Sequence, residues 1–131
     1  MSTKEIITDI SINDFKTLLN NISISNKIII LKFTADWCKP CKKIKSCVHE
    51  WFNKLPDNFI IIEIDIDDTM DLYYKLKTKK MVNGIPSILA YYGNIRRDMD
   101  KWFIPSDSVI GGKVEEVDLF FSRCQAKGAS M

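Results

Sequence analysis

The 131-residue chain predicts an α/β fold, because strand-like apolar runs alternate along it with stretches of helical pattern. Two of these runs, Lys27 to Thr34 and Phe59 to Asp65, are rich in β-branched residues and apolar almost throughout. Such runs are typical of strands in a sheet that is covered on both faces. With 46% hydrophobic residues the chain can bury a core without disulfide staples, so we expect residues 1–131 to form a single domain.

The first elements are a short strand and a helix. Lys4 to Ile10 can form the strand. Ser11 with Asp14 three residues later resembles a capping box, which predicts a helix that begins there and continues through Leu19. The strand Lys27 to Thr34 follows.

The middle of the chain repeats this alternation. A helix is predicted from about Pro40 to Phe52, since proline is tolerated in the first turn of a helix. The strand Phe59 to Asp65 comes next, and Asp71 to Leu76 suggests another helix.

The last third predicts a strand, a turn and a terminal helix. Ser87 to Tyr92 reads as the strand and Gly93-Asn94 as the turn. Glu115 to Gln125 is an amphipathic helix that places three apolar residues on one face, Val117, Phe120 and Phe121. The predicted order is therefore strands alternating with helices, then a hairpin and a final helix.

Charge and hydropathy limit the possible partners. The net charge is +2 and no tract contains five like charges, so we expect no nucleic-acid partner. The longest apolar stretches, such as Ile28 to Leu31, are far too short to span a membrane, and no export leader opens the chain. We expect a soluble cytoplasmic protein, in which four cysteines are catalytic or buried rather than a disulfide framework.

A Cys-x-x-Cys pair lies where an apolar strand gives way to a lysine-rich helix. Cys38 stands at the predicted helix N-terminus, with Cys41 one turn further along. The unpaired N–H groups of the helix and the charges of Lys39 and Lys42 should lower the pKa of the Cys38 thiol. Since the thiolate is the reactive form, Cys38 is the candidate nucleophile.

Two segments resemble the thioredoxin family. The segment from Phe33 to Lys42 (FTADWCKPCK) is similar to the family's W-C-G-P-C active site, which follows a strand. Residues 83–94 (NGIPSILAYYGN) are similar to the family's Gly-Ile-Pro-Thr segment with the fourth strand and glycine turn that follow it. The resemblance implies a thioredoxin fold, a central mixed β-sheet flanked by helices. It also implies that Pro86 is cis, because only an X-Pro bond makes a cis peptide low enough in energy to retain.

The resemblance further implies a thiol-disulfide oxidoreductase that reduces protein disulfides. Cys38, which we expect to be exposed and ionised, attacks a substrate disulfide, and Cys41 resolves the mixed disulfide. We expect a monomer with no cofactor and no metal, served by an electron donor that resembles thioredoxin reductase. The positions that match the family's substrate groove and active-site dipeptide are Trp37, Lys39, Pro40, Ile85, Pro86, Ile110 and Gly111.

The first departure from the family pattern is Lys39, where glycine is usual. A cation beside the thiolate favours the reduced form, which predicts a more oxidising potential than that of a Gly-Pro member. In the alternative, Lys39 points into solvent and screening leaves little shift.

The second departure lies in the two central strands. Lys32 stands where many members bury an aspartate, and Glu63 where members often have a lysine. We expect Lys32 and Glu63 to pair beneath Cys41, with Glu63 as proton acceptor, because a lone buried lysine is costly. The alternative is that Lys32 extends to the surface and the pair is incidental.

The third departure is an insertion of about ten residues between the Gly93-Asn94 turn and Ile110, in the hairpin after the cis-proline strand. It carries Trp102 and Phe103, which we expect to pack on the sheet since large aromatics are usually buried. Exposure of Trp102 would instead indicate a partner-recognition loop.

The remaining cysteines and the histidine spell a zinc-like pattern, C-x2-C-x5-C-x-H. On one helix, however, Cys41 and Cys47 diverge by about 600°, which argues against a shared metal. We expect Cys47 and Cys124 to be small core residues and His49 to lie at the surface.

Two other functions stay open. One is a redox-silent binding or adaptor module, since fold does not dictate function. The other is a more oxidising disulfide donor or isomerase, which Lys39 and the missing aspartate would allow. Retention of both cysteines and of Ile85-Pro86 favours the reductase.

Overall fold

The structure is a computed structural model that describes residues 5–131. Its strands are β1 (Ile6–Ile7), β2 (Ile28–Thr34), β3 (Phe59–Asp65), β4 (Ser87–Tyr92) and β5 (Asp107–Ile110). Its helices are α1 (Ile12–Ile22), α2 (Lys39–Lys54), α3 (Asp71–Thr78) and α4 (Val114–Ala129), and a short 3₁₀ helix spans Met99–Lys101.

The strands form one mixed sheet in the order β1-β3-β2-β4-β5. β1, β3 and β2 run parallel, whereas β4 is antiparallel to β2 and β5 is antiparallel to β4. The carboxyl ends of β2 and β3 therefore meet at one edge of the sheet, and helix α2 begins there. This arrangement confirms the predicted α/β class and the mixed sheet.

Alternation along β2 divides the core into two layers. Ile29, Leu31 and Phe33 pack into the layer that contains α1 and α3. Ile28 and Ile30 face the opposite layer, with α2 and α4. Because side chains alternate along a strand, Lys32 shares the second face and points toward α2.

The central strands β3 and β4 have the predicted bounds, and Ser11 caps α1 as expected, accepting the Asp14 N–H at 3.0 Å. Helix α1 extends past Leu19 to Ile22, because Ile22 continues the buried face. Strand β1 is shorter than predicted, and residue 4 of that prediction lies outside the described residues.

The other helices are also longer than predicted. Helix α2 continues two residues past Phe52, α3 continues to Thr78, and α4 runs from Val114 to Ala129. Lysines in the last turns of all three, Lys54 in α2 among them, favour these extensions through the negative end of the helix dipole.

The insertion packs against the sheet. Trp102 is only 4% exposed and meets the Phe15 ring edge-on at 6.1 Å. The Tyr91 hydroxyl donates to the carbonyl of Phe103 at 3.0 Å. The predicted packing of Trp102 is therefore confirmed, and the recognition-loop alternative is wrong for this side chain.

The lengths and apolar content of the helices bear on whether one of them could span a membrane. Within residues 5–131, none is both long and apolar enough to cross a bilayer.

Candidate active site

Cys38 lies at the N-terminus of helix α2, as predicted. It is the N-cap residue, and its sulfur accepts the N–H of Cys41 at 3.2 Å. Pro40 occupies the first turn, where its missing N–H leaves no bond unmade. The positive end of the helix dipole therefore points at the Cys38 sulfur and would stabilise a thiolate there after reduction.

The two cysteines are joined by a disulfide, with Cα atoms 5.2 Å apart. We expected an exposed Cys38, and this was wrong: the residue is only 4% exposed. It packs with Cys41 and Ala35 against the partly buried Ile85, whose carbonyl oxygen lies 3.9 Å from the Cys38 sulfur. A substrate disulfide must therefore enter along the rim that surrounds the pair.

The Ile85–Pro86 peptide bond is cis, which confirms the prediction for Pro86. The Pro86 carbonyl accepts the N–H of Gly111 at 3.0 Å. Gly111 has φ +98°, a conformation that favours glycine over any residue with a Cβ. The loop of Ile110 and Gly111 is thereby held beside the cysteine pair.

Two large apolar side chains stand exposed on this rim. Trp37 is 64% exposed and Ile110 is 54% exposed, on the two segments that border the cysteine pair and Pro86. The Trp37 indole N–H donates to the Asp67 carboxylate at 2.8 Å, which fixes the ring. Ile85 packs on the cysteine pair and Gly111 bonds to Pro86, but substrate binding by these residues stays a prediction.

Asp67 was missed from the sequence. The signal was the acidic run after β3, since the carboxyl ends of parallel β2 and β3 meet at one edge. Lys39 and Pro40, which lie between the two cysteines in the chain, are both exposed. Exposure of Lys39 favours the alternative in which screening weakens its effect on the redox potential; the potential itself stays a prediction.

Lys32 and Glu63 form the predicted ion pair, with Nζ and Oε2 3.0 Å apart on adjacent strand positions. Lys32 is 1% exposed, so it does not extend to the surface. Glu63 is partly buried. A buried ammonium requires such a partner, because desolvation without one costs several kcal/mol per ion, on the order of what the whole fold can spare.

The Glu63 carboxyl has a lowered pKa. Burial raises the pKa, but the charge of Lys32 and hydrogen bonds from Lys32 and His49 outweigh burial and hold it below its ordinary value. Glu63 is therefore an ionised carboxylate at neutral pH.

His49 lies partly at the surface, as expected, but its ring also contacts buried neighbours. Its Nε2 is 3.2 Å and 3.3 Å from the two Glu63 carboxylate oxygens, and its ring stacks on Phe52 at 5.6 Å. Its side chain is 39% exposed. The sequence signal was its place directly after the buried Val48, at the margin of the buried face of α2.

A cavity of about 470 Å³ joins these groups to the active site. Lys32, Cys41, His49 and Glu63 all line it. Its volume and polar lining suit water, which can carry a proton between groups that do not touch. Among residues 5–131, no three His, Cys, Asp or Glu side chains form a group that could hold a metal ion.

The other two cysteines differ from each other. Cys124 is buried as predicted, and burial raises the pKa of its thiol to about 12. Cys47 is not a core residue, which corrects the prediction: its sulfur faces α4 and lies 3.2 Å from the Asp118 carboxylate. Burial and Asp118 raise the pKa of Cys47 to about 11, so both thiols are poor nucleophiles at neutral pH.

Comparison with known proteins agrees with this site. The family model described as Thioredoxin matches residues 7–101, most of the chain. The chain belongs to the thioredoxin family. Membership together with the closed cysteine pair identifies a thiol-disulfide oxidoreductase in general terms.

Thioredoxin relatives occur in distant organisms. The chain is 40% identical to a thioredoxin of Ophiophagus hannah over 90 residues, 69% of this chain and 77% of that protein. It is 28% identical to thioredoxin H8 of Arabidopsis thaliana over 82% of this chain and 64% of that protein. It covers 55% of the length of the Oryctolagus cuniculus thioredoxin, at 37% identity.

Solved thioredoxins share the fold. A thioredoxin from Nicotiana alata superposes with a TM-score of 0.64 at 21% identity, covering 94% of this chain and 95% of the other. Reduced thioredoxin from Schistosoma mansoni gives 0.63 at 22% identity, covering 92% and 98%. At such identities the likeness describes the fold alone.

Proposed function

We propose that this protein reduces disulfides in protein substrates through a dithiol-disulfide cycle of Cys38 and Cys41. The observation that carries the proposal is the position of the Cys38 sulfur, at a helix N-terminus and beside cis Pro86. A thiolate there is stabilised, held next to a groove, and within reach of a second cysteine.

The cycle balances as follows. The Cys38 thiolate attacks one sulfur of the substrate disulfide, forming a Cys38–substrate disulfide and releasing the other sulfur as a thiolate. Cys41 loses its proton and attacks the Cys38 sulfur, which frees the second substrate thiolate. The substrate gains two electrons, and the Cys38–Cys41 disulfide forms. A donor similar to thioredoxin reductase would return two electrons and so reopen the pair.

We assign the proton of Cys41 to Glu63. Glu63 is ionised, lines the same cavity as Cys41, and is paired with Lys32. Water in that cavity can carry the proton to the carboxylate, while the Lys32 charge stays in place. Lys32 thus keeps Glu63 ionised until the resolving step.

The groove supplies affinity without strong sequence selectivity. Trp37 and Ile110 offer apolar surface, and a substrate segment can pair in strand-like fashion with the backbone at Ile85. Lys39 and Pro40 lie at the margin of the same surface. This arrangement suits a general reductase that works as a cytoplasmic monomer on varied protein disulfides.

The alternative functions predict different chemistry. A redox-silent adaptor does not need a cysteine pair that closes beside a cis proline, so the observed site favours the enzyme. A disulfide donor or isomerase would use the same site at a more oxidising potential. The direction of electron flow therefore separates the two enzymatic functions.

The test is reduction of a protein disulfide such as those of insulin, with dithiothreitol or a thioredoxin reductase and NADPH as donor. The proposal expects catalysis by the native protein and loss of catalysis in Cys38→Ser. Cys47→Ser is the matched control and should retain activity, because this thiol faces Asp118 of α4 and does not line the cavity beside Cys41. Equal rates for the native protein and Cys38→Ser would reject the proposal.

The base is tested separately by Glu63→Gln. The rate at which Cys41 resolves a mixed disulfide at neutral pH should fall. An unchanged rate would discard Glu63 as the proton acceptor and leave the thiol cycle itself intact.

A further inference from the structure

The ion pair below the active site has a third member that the thiol cycle does not explain. His49 reaches Glu63 from helix α2, with Nε2 at 3.2 Å and 3.3 Å from the two carboxylate oxygens. Lys32 holds the same carboxylate from β2 at 3.0 Å. Glu63 thus lies between one fully buried cation and one partly exposed imidazole.

The two neighbours differ in what pH does to them. Of the two side chains, imidazole is the one that ordinarily titrates between pH 5 and 8. With His49 neutral, Glu63 has one cationic neighbour and one N–H donor. With His49 protonated, two cations hold the carboxylate.

The positions of His49, Glu63 and Cys41 determine whether protonation of His49 favours or opposes proton transfer from Cys41 to Glu63. When Cys41 gives its proton to Glu63, negative charge moves from the carboxylate to the Cys41 sulfur. His49 is in contact with the carboxylate, but it is eight residues from Cys41, about 12 Å along the axis of α2. Charge therefore moves away from an imidazolium at 3.2 Å, and protonation of His49 opposes the transfer.

Other charges around the cavity do not remove this effect. Lys42 and Lys45 contribute positive charge from α2. Negative charge comes from Asp36 in the loop before α2 and from Asp65 and Asp68 at the end of β3 and in the loop after it. Among the ion pairs of residues 5–131, none joins these five to His49 or Glu63. Within the described part of the chain, Lys32 and His49 are the side chains that form ion pairs or hydrogen bonds with the Glu63 carboxylate.

We propose that His49 is a positioning residue that sets the proton affinity of Glu63, so that its protonation withdraws the base and slows the Cys41 step at mildly acidic pH. This inference rests on the proposed role of Glu63 as proton acceptor. Attack by Cys38 precedes the proton transfer and does not depend on His49.

The chain offers a direct test, because His49 is its single histidine. Rapid mixing of reduced protein with an aromatic disulfide releases one coloured thiolate when Cys38 attacks and a second when Cys41 resolves. NMR of the imidazole follows the protonation of His49 in the same unmodified protein. As pH falls, the rate of the second thiolate release should drop with the same midpoint that NMR finds for His49. The rate of the first release should not follow that midpoint.

A matched variant sharpens the test. His49→Gln keeps a hydrogen-bond donor but cannot titrate. At about pH 5.5 its Cys41 should resolve the mixed disulfide about fivefold faster than in the native protein. At about pH 8 the two rates should agree within about twofold. His49→Lys, a permanent cation, should be slow at both. Glu50→Gln changes an exposed charge one residue away and should keep the native profile.

The outcomes separate the inference from the function on which it rests. A native profile in His49→Gln, or a resolution midpoint that does not follow the NMR titration, overturns the role of His49. If Glu63→Gln slows resolution while His49→Gln has the native profile, the base survives and only the inference fails. If Glu63→Gln changes nothing, the base fails, whereas Cys38→Ser still tests the cycle.

Discussion

The two cysteines are three residues apart and lie in opposite environments. Cys38 faces a rim of exposed apolar side chains, and the N–H of Cys41 points at its sulfur. Cys41 lines a cavity with buried charged groups, Lys32 and Glu63. Both thiols are buried, but backbone dipoles at the helix N-terminus act on Cys38, whereas we propose that Cys41 depends on a proton acceptor in the cavity.

The largest expected effect separates the two thiols directly. Cys38→Ser should lower the reductase rate roughly a thousandfold, since no nucleophile remains. Cys41→Ser should lose turnover to a similar extent but still attack once, because Cys38 keeps its helix N-terminus. Mass spectrometry should then find a Cys38–substrate disulfide in Cys41→Ser. Its absence, with a folded protein, would contradict the division of roles.

The next effect concerns stability on the Cys41 side. Glu63→Gln leaves the buried Lys32 without its carboxylate, and we expect the free energy of unfolding to fall by about 3 kcal/mol. Lys32→Met combined with Glu63→Leu removes both charges from an apolar setting and should recover most of that loss.

Urea unfolding of the single and double variants measures the difference. Asp67→Asn, which changes an acidic residue on the Cys38 side, serves as the control and should shift the free energy of unfolding by less than about 0.5 kcal/mol. A double variant less stable than Glu63→Gln would show that the ion pair is a net source of stability.

A smaller effect is the pH dependence of that stability. The pKa of Glu63 is lowered in the folded protein from its ordinary 4.5, so the folded state binds fewer protons than the unfolded state as pH falls. The stabilisation is complete above the unfolded pKa and is lost as pH falls through the folded pKa.

Urea unfolding from about pH 7 to about pH 3 should therefore show a stability loss that Glu63→Gln partly lacks. The difference in free energy of unfolding between the native protein and Glu63→Gln should become smaller as pH falls. A gap that stays constant would mean that Glu63 titrates alike in both states.

The smallest effects are expected on the rim beside Cys38. Trp37→Ala removes apolar contact area and should lower kcat/KM for protein disulfides about fivefold, with little change for a small aromatic disulfide. Asp67→Asn weakens only the hydrogen bond that fixes the Trp37 indole, and it should lower kcat/KM for protein disulfides about twofold. Equal losses for both substrate sizes would indicate that Trp37 acts on Cys38 rather than on substrate binding.

The Cys38 side could be predicted from sequence and the Cys41 side only in part. Strand pattern and Pro40 placed Cys38 at a helix N-terminus, because those signals are local, whereas the cis Pro86 beside it was implied by the resemblance to the thioredoxin family. The pairing of Lys32 with Glu63 was also predictable, since a buried lysine demands a partner. The burial of Cys38 was not, because it depends on how Ile85 packs across the chain.

His49 and Cys47 show the same limit on helix α2. Both lie at the margin of its buried face, where helical periodicity does not decide exposure. Their environments come from the neighbours across the interface, Glu63 for His49 and Asp118 for Cys47. Contacts between elements distant in sequence set these environments.

The central claim is that Cys38 and Cys41 form a working dithiol couple. The most direct measurement is the equilibrium reduction potential of the pair in glutathione buffers, read by thiol alkylation and mass. We predict one two-electron transition, confined to these cysteines, at a reducing potential of the thioredoxin type. A strongly oxidising transition would contradict the reductase direction, and a pair that never closes would contradict the cycle itself.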